Sequence, residues 1–264
     1  MTSVLPEAEE TGRTDIRPAL RLSEVSKVYG RGPGAVHALD KVSLDVAPGE
    51  FVCLVGASGC GKSTLLSLVA GLDPVTAGEI DLADSRTPAL MFQEPALFPW
   101  LTVASNVGLP LKLRGVGRAE RQERVEALLR TVHLLDFAKK RPHQLSGGMR
   151  QRVALARTLA TDSALLLMDE PFGALDAMTR DILHDELERI WAERALTVVF
   201  VTHNVREAAR LGDRIVLLSS RPGRVAWERA VDVPRPRRID SPEIAAIAAE
   251  VTDRLRSEVR RHGS

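Results

Sequence analysis

The chain has 264 residues, enough for one large domain or a core with a subdomain. Its charges nearly cancel, at a formal +1, which argues against a nucleic-acid binder held by bulk electrostatics. Hydrophobic residues make up 44% of it, yet its purely apolar runs, such as Ala164–Met168, fall far short of the roughly 18 residues a membrane span needs. The two cysteines, Cys53 and Cys60, build no disulfide framework and fit a reducing compartment.

Met1 to about Pro18 is polar, acidic and aperiodic, so a disordered tail is expected, and Met1–Asp15 lacks the apolar core of a signal peptide. Leu20–Val28 alternates enough for an edge strand. The only tyrosine, Tyr29, then precedes the turn Gly30–Gly34. A lone aromatic there is either packed or a stacking platform for a base ring. Val42–Val46 alternates as a second strand, and Pro48-Gly49 turns into the apolar run Phe51–Val55.

The stretch Gly56-Ala57-Ser58-Gly59-Cys60-Gly61-Lys62-Ser63-Thr64 follows that strand and opens a helix, Leu65–Ala70, stopped by Gly71. It carries the pattern G-x-x-x-x-G-K-[ST] in the one context that gives it meaning, between strand and helix. Glycines let backbone N–H groups crowd an anion, and the helix N-terminus adds about half a positive charge. Lys62 is placed for the outer phosphates of a nucleoside triphosphate and Ser63 for Mg²⁺. Cys60 reads as a small residue within the loop.

Glu79–Leu82 and Ala89–Phe92 read as short strands, the second closed by Gln93. Phe92–Trp100 holds three of the chain's ten large aromatics in a proline-punctuated loop, which is either buried or touches a partner. Arg118–Leu135 is an amphipathic helix with Val125, Leu128, Leu129 and Val132 on one face. Leu145-Ser146-Gly147-Gly148 precedes a helix over Arg150–Ala160 and offers a second anion seat. Leu165–Met168 is a buried-type strand ending in Asp169-Glu170-Pro171. A long helix with Leu183, Leu187, Ile190 and Trp191 on one stripe comes next. The strand Thr197–Val201 ends in Thr202-His203, and a helix through Leu211 and the strand Arg214–Leu218 follow. Such alternation predicts an α/β parallel sheet. Val233–Arg238 is an extended linker, and Ser241 with Pro242 opens a last helix with Ile244, Ile247, Ala248, Val251 and Leu255 on one stripe.

Ligands of parallel sheets bind outside the carboxyl ends of the strands. There Asp169 would hold Mg²⁺ with Ser63, Glu170 would orient or deprotonate an attacking water, and Gln93 suits contact with both metal and water. His203, also at a strand end, would bond the γ-phosphate.

The ordered set Tyr29, Gly56–Thr64, Gln93, Leu145–Met149, Leu165–Glu170, Ala174-Leu175-Asp176 and His203 resembles the ATP-binding subunit of ABC transporters, over roughly Leu20 to Gly223. The resemblance implies a P-loop NTPase (RecA-like) core with a mainly parallel sheet, an antiparallel β edge and an α-helical subdomain inserted at about residues 95–158. Its cassette would span residues 19–230, with linker and helix over 231–264. It implies an ATPase with ATP and Mg²⁺ as cofactors, and a homodimer sandwiching two ATP molecules. Ser146, Gly147 and Gly148 of one copy would face the nucleotide on the other copy's phosphate loop. Met91–Val103, Leu217–Arg224 and Val233–Arg237 further resemble importers of nitrate, sulfonates and taurine. That implies two permease subunits, a substrate-binding protein and a place on the cytoplasmic face of the membrane. Phe98, Pro99 and Trp100 are then either the groove for a permease helix or packing within the subunit. Met149, Asn204 and Ala57 depart from the commoner glutamine, acidic residue and proline, and Asp81–Pro88 makes a shorter hairpin. The competing classes are a cassette ATPase acting on nucleic acid or ribosomes, and a phosphotransferase sharing only the phosphate loop. The second leaves Ser146–Gly148 and His203 without a task.

Overall fold

The computed structural model describes residues 17–173 and 175–262. The tail expected at residues 1–18 lies outside them, except for Arg17, which donates to both carboxylate oxygens of Asp81, and Pro18. Ala174 also lies outside the described residues.

Two sheets face each other. The first comprises β1 (Leu20–Tyr29), β2 (Val36–Val46) and β4 (Ala77–Leu82), antiparallel, in the order β2-β1-β4. The strand expected at an edge is therefore the central one. Nothing local distinguishes it, because its second partner, β4, comes from about fifty residues further along the chain. β2 also starts earlier than its alternation suggests. Bulges between β1 and β2 break the period-2 pattern, with Glu24 and Lys41 at φ 47° and 49°.

The second sheet orders β5 (Ala89–Met91), β6 (Leu165–Asp169), β7 (Thr197–Val201), β3 (Phe51–Gly56), β8 (Arg214–Leu218) and β9 (Val225–Ala230). Its first five strands are parallel, and β9 returns antiparallel to β8. The interior strands are buried on both faces, so they read as apolar runs. Alternate residues supply two different cores. Val52 and Leu54 face the first sheet, joined by Leu65 and Leu66 of α1 (Lys62–Val69), Leu167 and Val199. Phe51, Cys53 and Val55 face the helices, with Leu166, Met168 and Phe200. Each such large side chain taken from water contributes about 1.5–3 kcal/mol.

Between β5 and β6 the chain inserts α2 (Val103–Leu113), α3 (Arg118–Thr131) and α4 (Gly147–Leu159). α3 stops four residues short of expectation, where His133 adopts φ 55°. α4 begins three residues early, because Ser146 Oγ accepts from Met149 N at 3.2 Å and caps it. α5 (Ala177–Arg194), α6 (Val205–Leu211) and α7 (Pro242–His262) cover the same face of the sheet. The linker before α7 is a docked strap. Arg235 donates to Glu188 Oε1 at 2.9 Å and Asp213 Oδ1 at 2.8 Å and stacks 4.3 Å from the Trp191 ring centre. Arg237 is buried and donates to the carbonyls of Val233, Arg210, Gly212 and Val231.

Candidate active site

Register puts the functional loops at one edge. Leu54 of β3 pairs with Val201 of β7, and Asp169 of β6 also pairs with Val201. The phosphate loop, the carboxylate pair and His203 thus all leave the sheet at the same level. The loop's shape depends on two glycines. Gly59 and Gly61 hold φ of 75° and 102°, and a Cβ on Gly61 would lie 2.8 Å from Ala38 O. Lys62 is buried within the loop, its Nζ donating to Gly56 O at 2.9 Å and Ala57 O at 3.0 Å. A cavity of about 430 Å³ opens over the loop. Its lining brings together Tyr29, Ser58, Gly59, Gly61, Lys62, Ser63, Thr64, Gln93 and Glu170.

Asp169 is half-buried, and desolvation pushes its carboxyl above the usual range; a hydrogen bond from Ser63 and the Lys62 charge oppose this, while Glu170 adds to it. Glu170 sits at φ 44°, a backbone region side chains disfavour, held there by its N–H to Val201 O at 3.0 Å. Its Oε2 lies 2.9 Å from His203 Nδ1. The remaining His203 ring nitrogen has no partner among the described residues, and the ring is exposed. Tyr29 is fixed by its hydroxyl, which donates to Asp73 Oδ2 at 2.9 Å, with Lys27 Nζ 4.8 Å from its ring centre. Bonds from Lys27 and then Tyr29 hold the Asp73 carboxyl below the usual range.

Ser146, Gly147 and Gly148 do not line this cavity. They form the exposed start of α4, where a Cβ on Gly148 would meet Thr179 Cγ2 at 2.6 Å. One chain therefore carries a phosphate cradle and, elsewhere, a second helix start that its own cradle does not use.

Several polar side chains behind the site escape sequence reasoning. Gln151 is buried on α4 and donates to Gln93 O at 2.9 Å and Pro171 O at 2.5 Å, joining the Gln93 segment to the turn after Glu170. Arg157, six residues on, donates to the carbonyls of Pro95 and Ala96. Behind His203, Thr202 Oγ1 donates to Glu207 and accepts from Asn204 N at 3.0 Å. The other Glu207 oxygen lies 2.5 Å from His184 Nε2, and Arg210 approaches His184 Nδ1 at 3.4 Å. Since Arg210 can only donate, His184 carries its proton on Nε2 and donates to Glu207. Asn106, fully buried on α2, accepts from Phe98 N and donates to the carbonyls of Phe98, Leu101 and Thr102. Gln151 and Glu207 give no sign in sequence of partners 20 or more positions away, and Asn106 gives none of the loop folding back over it.

A glycine cradle on a helix start, a lysine inside it, and a carboxylate pair at the end of β6, one strand removed from β3 in the same sheet, define an α/β nucleotide-triphosphate-binding protein. Comparison with known proteins narrows this. The chain belongs to the ABC transporter family, whose profile matches residues 39–173. It is 43% identical over 221 residues to a nitrate import ATP-binding protein of Synechocystis, covering 81% of this chain and 83% of that protein. It is 49% identical over 214 residues to a taurine import ATP-binding protein of Rhizobium johnstonii, covering 78% and 80%. Among solved structures, a bacterial ABC transporter cassette in dimeric form superposes with a TM-score of 0.74 at 36% identity, over 81% of this chain and all of that one. The same cassette in a post-hydrolysis state bound to ADP and phosphate gives 0.72. The chain is thus an ABC-type ATPase that uses ATP with Mg²⁺.

Proposed function

We propose that this chain is the ATP-hydrolysing subunit of an importer of small anionic nutrients of the nitrate, sulfonate and taurine type. It works on the cytoplasmic face of the membrane as a head-to-tail pair beneath two permease subunits, which a separate substrate-binding protein supplies. Among the described residues no helix is long and apolar enough to cross a membrane. The observation that carries the reading is the separation of the cradle at Gly56–Thr64 from the exposed start of α4 at Ser146–Gly148. A second copy, turned head to tail, gives each cradle its missing wall.

The donors at hand suit Mg²⁺. The Ser63 hydroxyl, the Asp169 carboxylate and the Gln93 amide are hard oxygen ligands, too few for a closed cage, as expected where waters and phosphates complete the shell. The metal would neutralise phosphate charge. Gly56, Ala57, Ser58, Gly59, Cys60, Gly61, Lys62 and Thr64 hold the phosphates through backbone N–H groups and the lysine. Tyr29 stacks the base. Glu170 accepts a proton from water as the water oxygen bonds to the outer phosphorus and the bond from phosphorus to the bridging oxygen breaks. His203, fixed by Glu170 at one nitrogen, presents the other to the outer phosphate.

On the far side of α2, a cavity of about 580 Å³ between α2 and α3 is lined by Leu101, Ala104, Gly108, Val125 and Leu129, among others. Beside it the rings of Phe98 and the exposed Trp100 meet at a tilt of 53°, their centres 5.6 Å apart. This apolar platform is the seat for a permease helix.

The test is Glu170→Gln. With ATP and Mg²⁺ this variant should hydrolyse little and elute as a dimer, whereas Glu170→Gln combined with Ser146→Arg should bind ATP and stay monomeric. A monomer for the single variant at saturating ATP, or a dimer for the double, overturns the pairing.

A further inference from the structure

The turn Ser219–Arg224 connects β8 to β9. It lies against the back of the phosphate loop. A Cβ on Gly223 would fall 2.2 Å from Cys60 O, so no side chain fits there. Gly223 N donates to Ala38 O at 2.9 Å, and Asp40 N donates to Gly223 O at 3.0 Å. Ser219 Oγ closes the turn, accepting from Arg224 N and donating to Pro222 O, each at 3.0 Å. The turn is therefore a rigid brace spanning β2 and the loop.

It carries two arginines with different fates. Arg224 is matched by a carboxylate, its Nε 2.9 Å from Asp40 Oδ2. Arg221 has no carboxylate partner among the described residues. Its Nε and one amino group donate to the carbonyl of Gly59 at 3.3 and 3.2 Å, and its other amino group has no partner there. Arg221 also lines the cavity over the phosphate loop, alongside Lys62, Ser63 and Thr64. The Gly59 carbonyl, within the loop itself, anchors the arginine. An unpaired cation, fixed by a carbonyl on a rigid turn and opening onto an anion seat, is suited to charge-assisted bonds with phosphate oxygens.

We propose that Arg221 is a further nucleotide-binding residue that contacts the phosphate chain, held in place by the brace Ser219–Arg224. The inference rests on the phosphate-loop reading above. In use, Lys62 meets the phosphates from within the loop and Arg221 from its outer rim. The site thereby gains a second fixed cation, from a second turn.

The experiment measures binding of ATP, ADP and adenosine to the purified full chain. Arg221→Ala should weaken ATP and ADP by about tenfold, leave adenosine unchanged and leave the melting temperature unchanged. Arg221→Lys should recover part of the loss, since it restores charge without the fork. Lys62→Ala is the control on the site itself. If Lys62→Ala loses ATP while Arg221→Ala binds ATP and ADP like the parent, Arg221 is only a prop for Gly59 and the proposal fails. If adenosine binding falls as far as ATP binding, the phosphate contact is refuted. If Lys62→Ala retains ATP, the phosphate-loop reading fails instead. Should Arg221→Ala be poorly folded, Arg221→Gln decides: a loss of ATP and ADP affinity with adenosine unchanged supports the phosphate contact, and parental affinity for ATP and ADP overturns it.

Discussion

Gln151 is the clearest case of a side chain whose removal should be felt in both stability and turnover. Its amide nitrogen joins Gln93 O and Pro171 O, while its Oε1 is buried without a partner. Gln151→Leu strips both carbonyls of that donor, at about 1–3 kcal/mol each. It also removes the unsatisfied Oε1, which returns about 1–2 kcal/mol. The balance is a loss of about 2 kcal/mol, or about 4–8 °C in melting for a chain of this size. Gln151→Glu should be worse at neutral pH, because a carboxylate would then face two carbonyl oxygens. Burial would raise that carboxyl's pKa, so its penalty is largest above the folded-state value and shrinks as pH falls through it, where one proton restores one bond. Urea midpoints and melting curves at neutral and mildly acidic pH give the order parent, Leu, Glu, with the last gap closing in acid. Steady-state hydrolysis should show kcat reduced in both variants with the KM for ATP little changed, since the Gln93 segment and the turn after Glu170 no longer move as one piece. A leucine variant as stable as the parent, or a glutamate variant indifferent to pH, would refute the bridge.

Asn106→Ala leaves Phe98 N and Leu101 O unmatched, while Phe98 O and Thr102 O keep backbone donors, and should cost about 2–4 kcal/mol in urea unfolding; in the assembled transporter it should lower transport per ATP hydrolysed, and unchanged coupling would free Phe98 and Trp100 from the permease role. Glu207→Gln should cost about 1–3 kcal/mol and reduce kcat more than it weakens ATP binding, because its single oxygen cannot accept from both His184 and Thr202, which loosens the backbone before His203; a fall in melting temperature with unchanged kcat would leave the network a packing device alone. The Asp73 carboxyl is held low by Lys27 and Tyr29, so its tether to Tyr29 is present above the ordinary carboxylate range and is lost only as pH falls through the depressed value. Adenosine binding should accordingly persist through mild acid in the parent and be weaker in Asp73→Ala at every pH above that depressed value, the two converging below it, as fluorescence titration would show.

The strand, glycine loop and helix over Phe51–Ala70 were legible because each residue type there answers a local demand. The same holds for Leu165–Asp169 and Thr197–Val201, whose uninterrupted apolar character is what burial on both faces requires. α2 escaped notice because Gly108 and Pro110 interrupt its pattern; Gly108 is needed small, since a Cβ would lie 3.2 Å from Val125 Cγ2. β9 escaped because its exposed residues bury too little to impose alternation. The central place of β1 rests on β4, far along the chain, and no window of a few residues contains that fact. Ser63, Asp169, Glu170 and His203 could be nominated because strand ends of such a sheet are where chemistry collects. Gln151, Asn106 and Glu207 could not, because their meaning lies in carbonyls, amides and rings contributed by other elements.

The alternation along β3 has a practical corollary for anyone editing this chain. Phe51, Cys53 and Val55 look one way, Val52 and Leu54 the other, and the loop hangs from the strand's end. Deleting or adding a single residue there would exchange the two sets and turn the loop's first glycine through half a rotation. An insertion or deletion within these five positions should therefore prevent folding, even when every side chain is an acceptable aliphatic one.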